Sequence, residues 1–254
     1  MLRDSIPGMK NIIDSDPPKG STILVMGEAG TLKSAFVFSA MSSYLQKNLG
    51  ENATYLTLDE KRESHIRNMA SIGIKNPESL LIADIAAFRM DFQTNSDIPV
   101  DSEIYFDQVV HILLENVERR GKPKYANGEE LRKKPSCYAL DSLNAFLSMV
   151  QTDKFDTTDK SHSIYNLRNK LFALLSLLRE NNSVNFIIFE TTGEAYRPEF
   201  FLVDGIIELG TMKFKDEQKR YIQIKKMKAI KHKLERFFID VTPNGLEVVG
   251  KIIP

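Results

Sequence analysis

Runs of consecutive apolar residues alternate along this chain with stretches whose apolar positions recur every three or four residues. The run "STILVMG" precedes "KSAFVFSAMSSYLQKNLG", "ATYLTL" precedes "ESHIRNMASIGI", and "SLLIADIAA" precedes "SEIYFDQVVHILLENVERR". The alternation continues with "PSCYALDS", "SHSIYNLRNKLFALLSLLREN" and "VNFIIFE". Strand followed by helix followed by strand predicts a mostly parallel sheet with helices on both faces. Strands such as "NFIIF" are apolar throughout, as expected when both faces are covered. From about residue 204 the pattern changes to short β segments, "DGIIELG", "RYIQIKKM", "ERFFIDVT" and "GLEVVGKII", with "PNG" as a turn. These predict an antiparallel extension of the same sheet, with Asp204 shaping a turn before "GIIEL". The polar, basic stretch "ERRGKPKYANGEELRKKP" reads as an exposed loop or hairpin.

Composition adds bounds. At 254 residues and 42% hydrophobic, the chain can bury a sizeable core, and one large α/β domain over residues 1–254 is the preferred reading. Lys+Arg and Asp+Glu both total 34, so no overall imbalance points to nucleic acid or to an acidic membrane surface. The single cysteine, Cys137, excludes an internal disulfide framework and reads as inert packing. "MLRDSIPGMK" lacks the apolar core of a signal peptide, and no apolar run is long enough to cross a bilayer. A soluble, cytoplasmic protein without membrane insertion is expected.

The first candidate for chemistry is "GEAGTLKSAF". It nearly matches the phosphate-loop pattern G-x-x-x-x-G-K-[ST], with Leu32 in place of the last glycine. Gly27 and Gly30 would let backbone N–H groups turn toward phosphate, Lys33 would neutralise it, and the Ser34 hydroxyl would face Mg²⁺. An ordinary strand-to-helix turn uses the same residue types, and the motif alone leaves the two readings close to even. A negative φ at Leu32 would suit leucine and turn its Cβ away from the phosphates. A value above zero would cost about 1–2 kcal/mol, and a clearly positive one, or a side chain filling the phosphate position, would return the motif to coincidence.

Carboxylates fall where such a loop needs them. Asp141 ends the apolar strand of "CYALDS", with Ser142 and Asn144 in the loop behind it, and suits a metal shell or a helix N-cap. Asp59 and Glu60 follow "YLTL", where they suit either a helix-start acid pair or a water-orienting base, with Glu60 as the base and Asp59 its helper. Three such elements on successive strand ends favour the catalytic reading. From Lys213 to Asp240 the chain carries ten Lys/Arg against four Asp/Glu, a local cationic excess beside a β-edge. His65, His111 and His162 show no metal-ligand spacing and read as surface or packing residues.

In order and spacing, "IPG", "GSTILVMGEAGTLKS", "YLTLDE", "YALDSL", "NFIIFETT", "VDGIIEL", "IQIKKMKAIKH" and "FFIDVTPNGLEV" resemble the KaiC-like branch of the RecA-superfamily ATPases nearly end to end. The resemblance implies a RecA-like P-loop fold that assembles into a homo-oligomeric ring, usually a hexamer, with ATP and Mg²⁺ at each subunit interface. It implies ATP contacts from Gly27, Glu28, Ala29, Gly30, Thr31, Leu32, Lys33, Ser34, Ala35 and Ser71. Mg²⁺ would be held by Ser34 and, through water, by Asp141. The family segment K-L-R-G-T-x-H, which reaches a neighbour's ATP, aligns with Lys226, Met227, Lys228, Ala229, Ile230, Lys231 and His232.

Three departures from the family pattern, Leu32 for glycine, Asp59 for the first glutamate and Lys228 for the trans arginine, imply slow hydrolysis or binding without much turnover. Two functions follow. One is a slow Mg²⁺-dependent regulatory ATPase, with Thr157, Thr158, Ser161 and Ser163 before the long helix as candidate hydroxyls for self-phosphorylation, none singled out. The other is a nucleotide-sensing scaffold for a regulatory protein partner. A DNA-gripping recombination ATPase has only local basic clusters behind it, at Arg119 to Lys134 and near the C-terminus, and is the weakest reading.

Overall fold

The computed structural model describes residues 1–74, 80–84, 136–150, 160–180, 182–191, 200 and 202–253. Nine strands form one sheet in the order β3-β2-β4-β5-β1-β6-β7-β8-β9. Strands β1 (Thr22–Gly27), β2 (Ala53–Thr57), β3 (Leu81–Asp84), β4 (Cys137–Asp141), β5 (Val184–Glu190) and β6 (Gly205–Phe214) pair in parallel. Strands β7 (Glu217–Met227), β8 (Phe237–Thr242) and β9 (Gly245–Lys251) continue the sheet antiparallel from β6. The mostly parallel sheet with a C-terminal antiparallel extension is the architecture expected from the sequence.

The pleat sorts each strand between two cores. Ile23 and Val25 of β1, Phe186 and Ile188 of β5, and Tyr55 of β2 enter one cluster, together with Phe36, Phe38 and Met41 of α1 (Lys33–Lys47). Their neighbours Leu24, Ile187 and Leu56 point the other way, onto α3 (Leu143–Val150) and α4 (Lys160–Glu180). A strand with both faces covered can therefore be apolar at every position. In α4 the buried residues Leu171, Leu174, Leu175 and Leu178 repeat at helical spacing and face that second core. The first core also takes Leu2, Met9 and Ile13 from the N-terminal segment.

Two local expectations change. Asn144 lies in the first turn of α3 and not in a loop, because the helix starts directly after Ser142, whose hydroxyl accepts the Ala145 N–H at 3.2 Å. Ser161 and Ser163 fall inside α4 and not before it. The helix expected over "SEIYFDQVVHILLENVERR", the basic stretch from Arg119 to Lys134, His111, Thr157 and Thr158 lie outside the described residues. Cys137 is buried at the start of β4, and burial pushes its thiol up, away from thiolate chemistry.

Asp204 does shape the turn before β6. Its carboxylate accepts the Thr22 N–H at 3.1 Å and the Lys228 ammonium at 3.0 Å, so one side chain ties the start of β1 to the end of β7. Burial alone would raise its pKa, but the Thr22 amide, Lys228 and Arg179 together hold the carboxyl below the usual carboxylate range. A group whose folded pKa is depressed stabilises above its unfolded value, and that stability is lost as pH falls through the folded one. Asp204→Ala is therefore expected to cost about 1–3 kcal/mol near neutral pH. Chemical denaturation across pH checks it: the gap to wild type should close below about pH 4, and a gap that stays constant into acid would contradict the assignment.

Candidate functional site

The carboxyl edge of the parallel strands is where chain reversals collect. Strand β1 is paired with β5 on one side, while the helix that leaves it leads to β2, three places away in the sheet, so a crevice opens above β1, β4 and β5. Gly27 stands in register with Glu190, and the Thr191 N–H donates to the Gly27 carbonyl at 2.9 Å. Gly27 must be glycine, since a Cβ there would run into the Leu209 carbonyl oxygen of β6. A cleft of about 390 Å³ lies on this edge. Gly30, Leu32, Lys33, Ser34 and Ala35 line it from the loop and α1, Asp59 and Ser71 from β2 and α2 (Arg62–Ser71), and Asp141, Ser142 and Glu190 from the ends of β4 and β5.

Leu32 takes the costlier of the two conformations open to it. Its φ is 71° and ψ 23°, a left-handed residue immediately before the helix. Gly30 is left-handed too, at φ 76°, with open space where a Cβ would stand. By the criterion set on the sequence alone, this φ would return the motif to coincidence. Glycine is the default residue for a left-handed position, so the turn accounts for the glycine of the pattern, and what speaks against coincidence is the meeting of Lys33, Ser34, Asp59 and Asp141 in one cleft. Leucine adopts it at a cost, while its side chain packs partly against the first core.

Lys33 begins α1 and is only 7% exposed. Its ammonium donates to the Glu28 carbonyl at 2.6 Å and lies 3.7 Å from the Glu190 carboxylate. Burial pulls its pKa below the usual lysine range, against the opposing pull of Glu190 and Asp141. Asp141 accepts the hydroxyl of fully buried Tyr55 at 2.5 Å, and burial, followed by the Asp141 charge, raises the Tyr55 phenol well above its ordinary value. Tyr55 also bonds the Ser34 side chain, so it links the hydroxyl and the carboxylate expected to face a metal. Among the described residues, no three His, Cys, Asp or Glu side chains converge to hold a metal alone. Mg²⁺, which keeps several waters and takes substrate phosphates as ligands, would need from the chain only a hydroxyl such as that of Ser34 and a carboxylate such as that of Asp141.

The acidic pair divides. Asp59 lines the cleft and accepts the Ser142 hydroxyl at 2.8 Å. Glu60 does not line it. Its carboxylate accepts the Ser64 hydroxyl at 2.7 Å and the Asn68 amide, and lies 3.0 Å from His65 Nδ1. His65 is buried between Phe38 and Tyr55, so the packing role expected of it is joined by a grip on Glu60. Ser71 lines the cleft while its hydroxyl donates to the Asn68 carbonyl at 2.8 Å.

The segment from Lys226 to His232 lies elsewhere. Met227 pairs with Gly205, which pairs with Ile23 at the start of β1, the sheet edge opposite the cleft. Lys226 donates to the Val203 carbonyl at 2.7 Å, Lys228 to Asp204, and His232 Nδ1 lies 3.1 Å from the Ile230 carbonyl. Within one chain these residues cannot meet the cleft.

Two residues escaped the sequence reading. Glu190 closes the apolar "VNFIIFE", and a lone carboxylate ending a strand beside the loop strand was the signal for it. Tyr55, inside "ATYLT", carries no signal that separates it from core.

The family model described as "ATPase: KaiC" matches residues 2–252. The circadian clock protein KaiC3 of Synechocystis sp. (strain PCC 6803) is 24% identical over 259 residues, covering 98% of this chain and 45% of its own. The UPF0273 protein PF1931 of Pyrococcus furiosus is 27% identical over 256 residues, covering 97% and 93%. The chain thus spans about half the length of KaiC3 and nearly all of PF1931. In fold it is similar to the KaiC-like protein PH0186 of Pyrococcus horikoshii OT3, with a TM-score of 0.68, 21% identity and 96% of each chain covered.

The strain at Leu32 can be isolated. Leu32→Ala keeps a Cβ in the left-handed region and loses packing, and is expected to destabilise by about 1–2 kcal/mol. Leu32→Gly loses the same packing but relieves about 1–2 kcal/mol, and should fall near wild type. Urea unfolding measures both, and an alanine variant more stable than the glycine variant would refute the strained loop.

Proposed function

Because the chain belongs to the KaiC ATPase family, we propose that it is a single-domain, cytoplasmic, Mg²⁺-dependent regulatory ATPase with slow turnover, working as a homo-oligomeric ring, most simply a hexamer, with ATP between subunits. The observation that carries this reading is the meeting of Lys33 and Ser34, at the N-terminus of α1, with Asp59 and Asp141 in one strand-edge cleft. Lys33 and the loop amides bind the phosphates, aided by the helix N-terminus. Ser34 and, through water, Asp141 would hold Mg²⁺, which would supply charge neutralisation on the phosphates. Glu60 orients the attacking water, which requires its carboxylate to leave Ser64, His65 and Asn68. Ser71 contacts the nucleotide from the end of α2.

The place of Lys226, Met227, Lys228, Ile230 and His232, on the sheet edge opposite their own cleft, supports the ring: such residues are useful to ATP only across a subunit boundary. Among the described residues no helix is long and apolar enough to cross a membrane. A second reading, a nucleotide-sensing scaffold that presents a surface to a protein partner with little hydrolysis, is favoured by the contacts of Glu60, whose carboxylate is held outside the cleft lining by Ser64, His65 and Asn68. Gripping of DNA has no support beyond local cations.

ATP turnover and particle mass, measured with Mg²⁺ for wild type, Lys33→Ala and Glu60→Gln, separate the readings. The ATPase reading expects a mass increase with ATP, and loss of turnover by about a hundredfold or more in both variants. If wild type assembles but hydrolyses no faster than Glu60→Gln, the scaffold stands and the ATPase falls. If ATP neither binds nor changes the mass, both fall.

A further inference from the structure

We propose that Glu190 is a built-in counter-ion of the phosphate loop: its carboxylate competes with phosphate for Lys33, so that tight nucleotide binding is conditional on a divalent cation arriving with the nucleotide. The proposal rests on the reading of the cleft as an ATP site and adds a residue that sets what form of nucleotide the site accepts.

Position comes first. Glu190 is the last residue of β5, in register with Gly27 at the mouth of the loop. Its main chain is pinned: the Asn144 side-chain amide donates to the Glu190 carbonyl at 2.9 Å, and the Glu190 N–H donates to Asn144 Oδ1 at 2.7 Å. This reciprocal pair, with the Thr191 amide on the Gly27 carbonyl, fixes where the side chain starts. The carboxylate itself is 46% exposed and faces the cleft, where it approaches the Lys33 ammonium to 3.7 Å.

Charge comes second. Lys33 is nearly buried, and an ammonium withdrawn from water demands a partner. Glu190 is the carboxylate that pairs with it, at 3.7 Å. The other two carboxylates of the cleft accept hydrogen bonds from hydroxyls, Asp59 from Ser142 and Asp141 from Tyr55. Among the described residues, the cleft is therefore lined by Asp59, Asp141 and Glu190 against a single cation, Lys33. A polyphosphate entering such a cleft must take Lys33 from Glu190 and then face the released carboxylate, a like charge at close range and partly shielded from water. A divalent cation lying with the phosphates reverses the sign of that encounter, because carboxylate and phosphate then share it. Replacing Glu190 by the isosteric, neutral glutamine removes the competition while leaving the main-chain clamp from Asn144 intact.

Titration calorimetry of ADP into the full chain tests this, for wild type, Glu190→Gln and Glu190→Asp, each with Mg²⁺ and with EDTA. In Glu190→Gln the metal-free Kd should tighten about tenfold while the Kd with Mg²⁺ moves much less, so the ratio of the two falls about tenfold. Glu190→Asp keeps the charge and should keep most of the wild-type ratio; thermal melts confirm that each variant is folded. A role in packing alone would shift both Kd values together and leave the ratio unchanged. A metal-free Kd in Glu190→Gln equal to or weaker than wild type, or an equal fall of the ratio in Glu190→Asp, overturns the counter-ion. Wild type that fails to bind ADP or ATP even with Mg²⁺ overturns the ATP reading, and the counter-ion with it.

Discussion

One buried cation organises this protein. Lys33 sits at the first turn of α1, almost out of solvent, at the end of a helix whose dipole already places positive charge there. An ammonium in that position is unfavourable unless negative groups surround it. The Glu28 carbonyl, the Glu190 carboxylate and, at longer range, Asp141 provide them. Each comes from a different strand end, so the cation can be satisfied only if β1, β4 and β5 finish at the same level. The register achieves that, with Gly27 opposite Glu190 and Leu140 opposite Ile187. The cleft is in this sense a by-product of solvating one lysine from inside the fold.

The backbone of the loop answers to a second constraint. Between Gly27 and Lys33 the chain must leave a strand, pass under the Leu209 carbonyl and enter a helix within a few residues. Gly27 meets the steric part and Gly30 the left-handed turn. Leu32 meets a second left-handed position without glycine's freedom, and the packing of its side chain on the first core offsets part of the strain. Strain held beside a candidate phosphate site is a common arrangement. Here its physical meaning is that the core behind the loop, and not the loop's own preference, sets the conformation that phosphate would meet.

Much of the fold was legible because two-sided burial leaves an unmistakable trace: β1 and β5 are apolar at nearly every position, and the shift to short alternating strands after Asp204 marked the antiparallel extension. What was not legible depended on three-dimensional neighbours. Tyr55 in "ATYLT" looks like any core aromatic until β4 lays Asp141 against its hydroxyl. Glu190 drew no assignment from the sequence, because its significance lies in pairing with β1, more than a hundred and fifty residues away. Glu60 was correctly located at a strand end, yet adjacency in sequence could not reveal that Asp59 would line the cleft while its neighbour turned back onto α2. The sign of φ at Leu32 stayed open on the sequence because leucine's own preference and the demand of the turn point opposite ways.

Two lysines, Lys33 and Lys228, are governed by opposite logic. Lys33 is held by carboxylates inside its own cleft, whereas Lys228 is held by Asp204 at the far edge of the sheet, where the carboxylate simultaneously pins the start of β1. A trans role for Lys228 would require the ammonium to trade Asp204 for a neighbour's phosphates. Arg179 already lies 3.6 Å from the same Asp204 oxygen, so a cation would remain beside that carboxylate after the exchange. Lys228 is itself more than half exposed, so little desolvation opposes its departure. In the proposed ring, the barrier to such an exchange would therefore lie less in freeing Lys228 than in the cleft that would receive it, where, among the described residues, three carboxylates face one lysine.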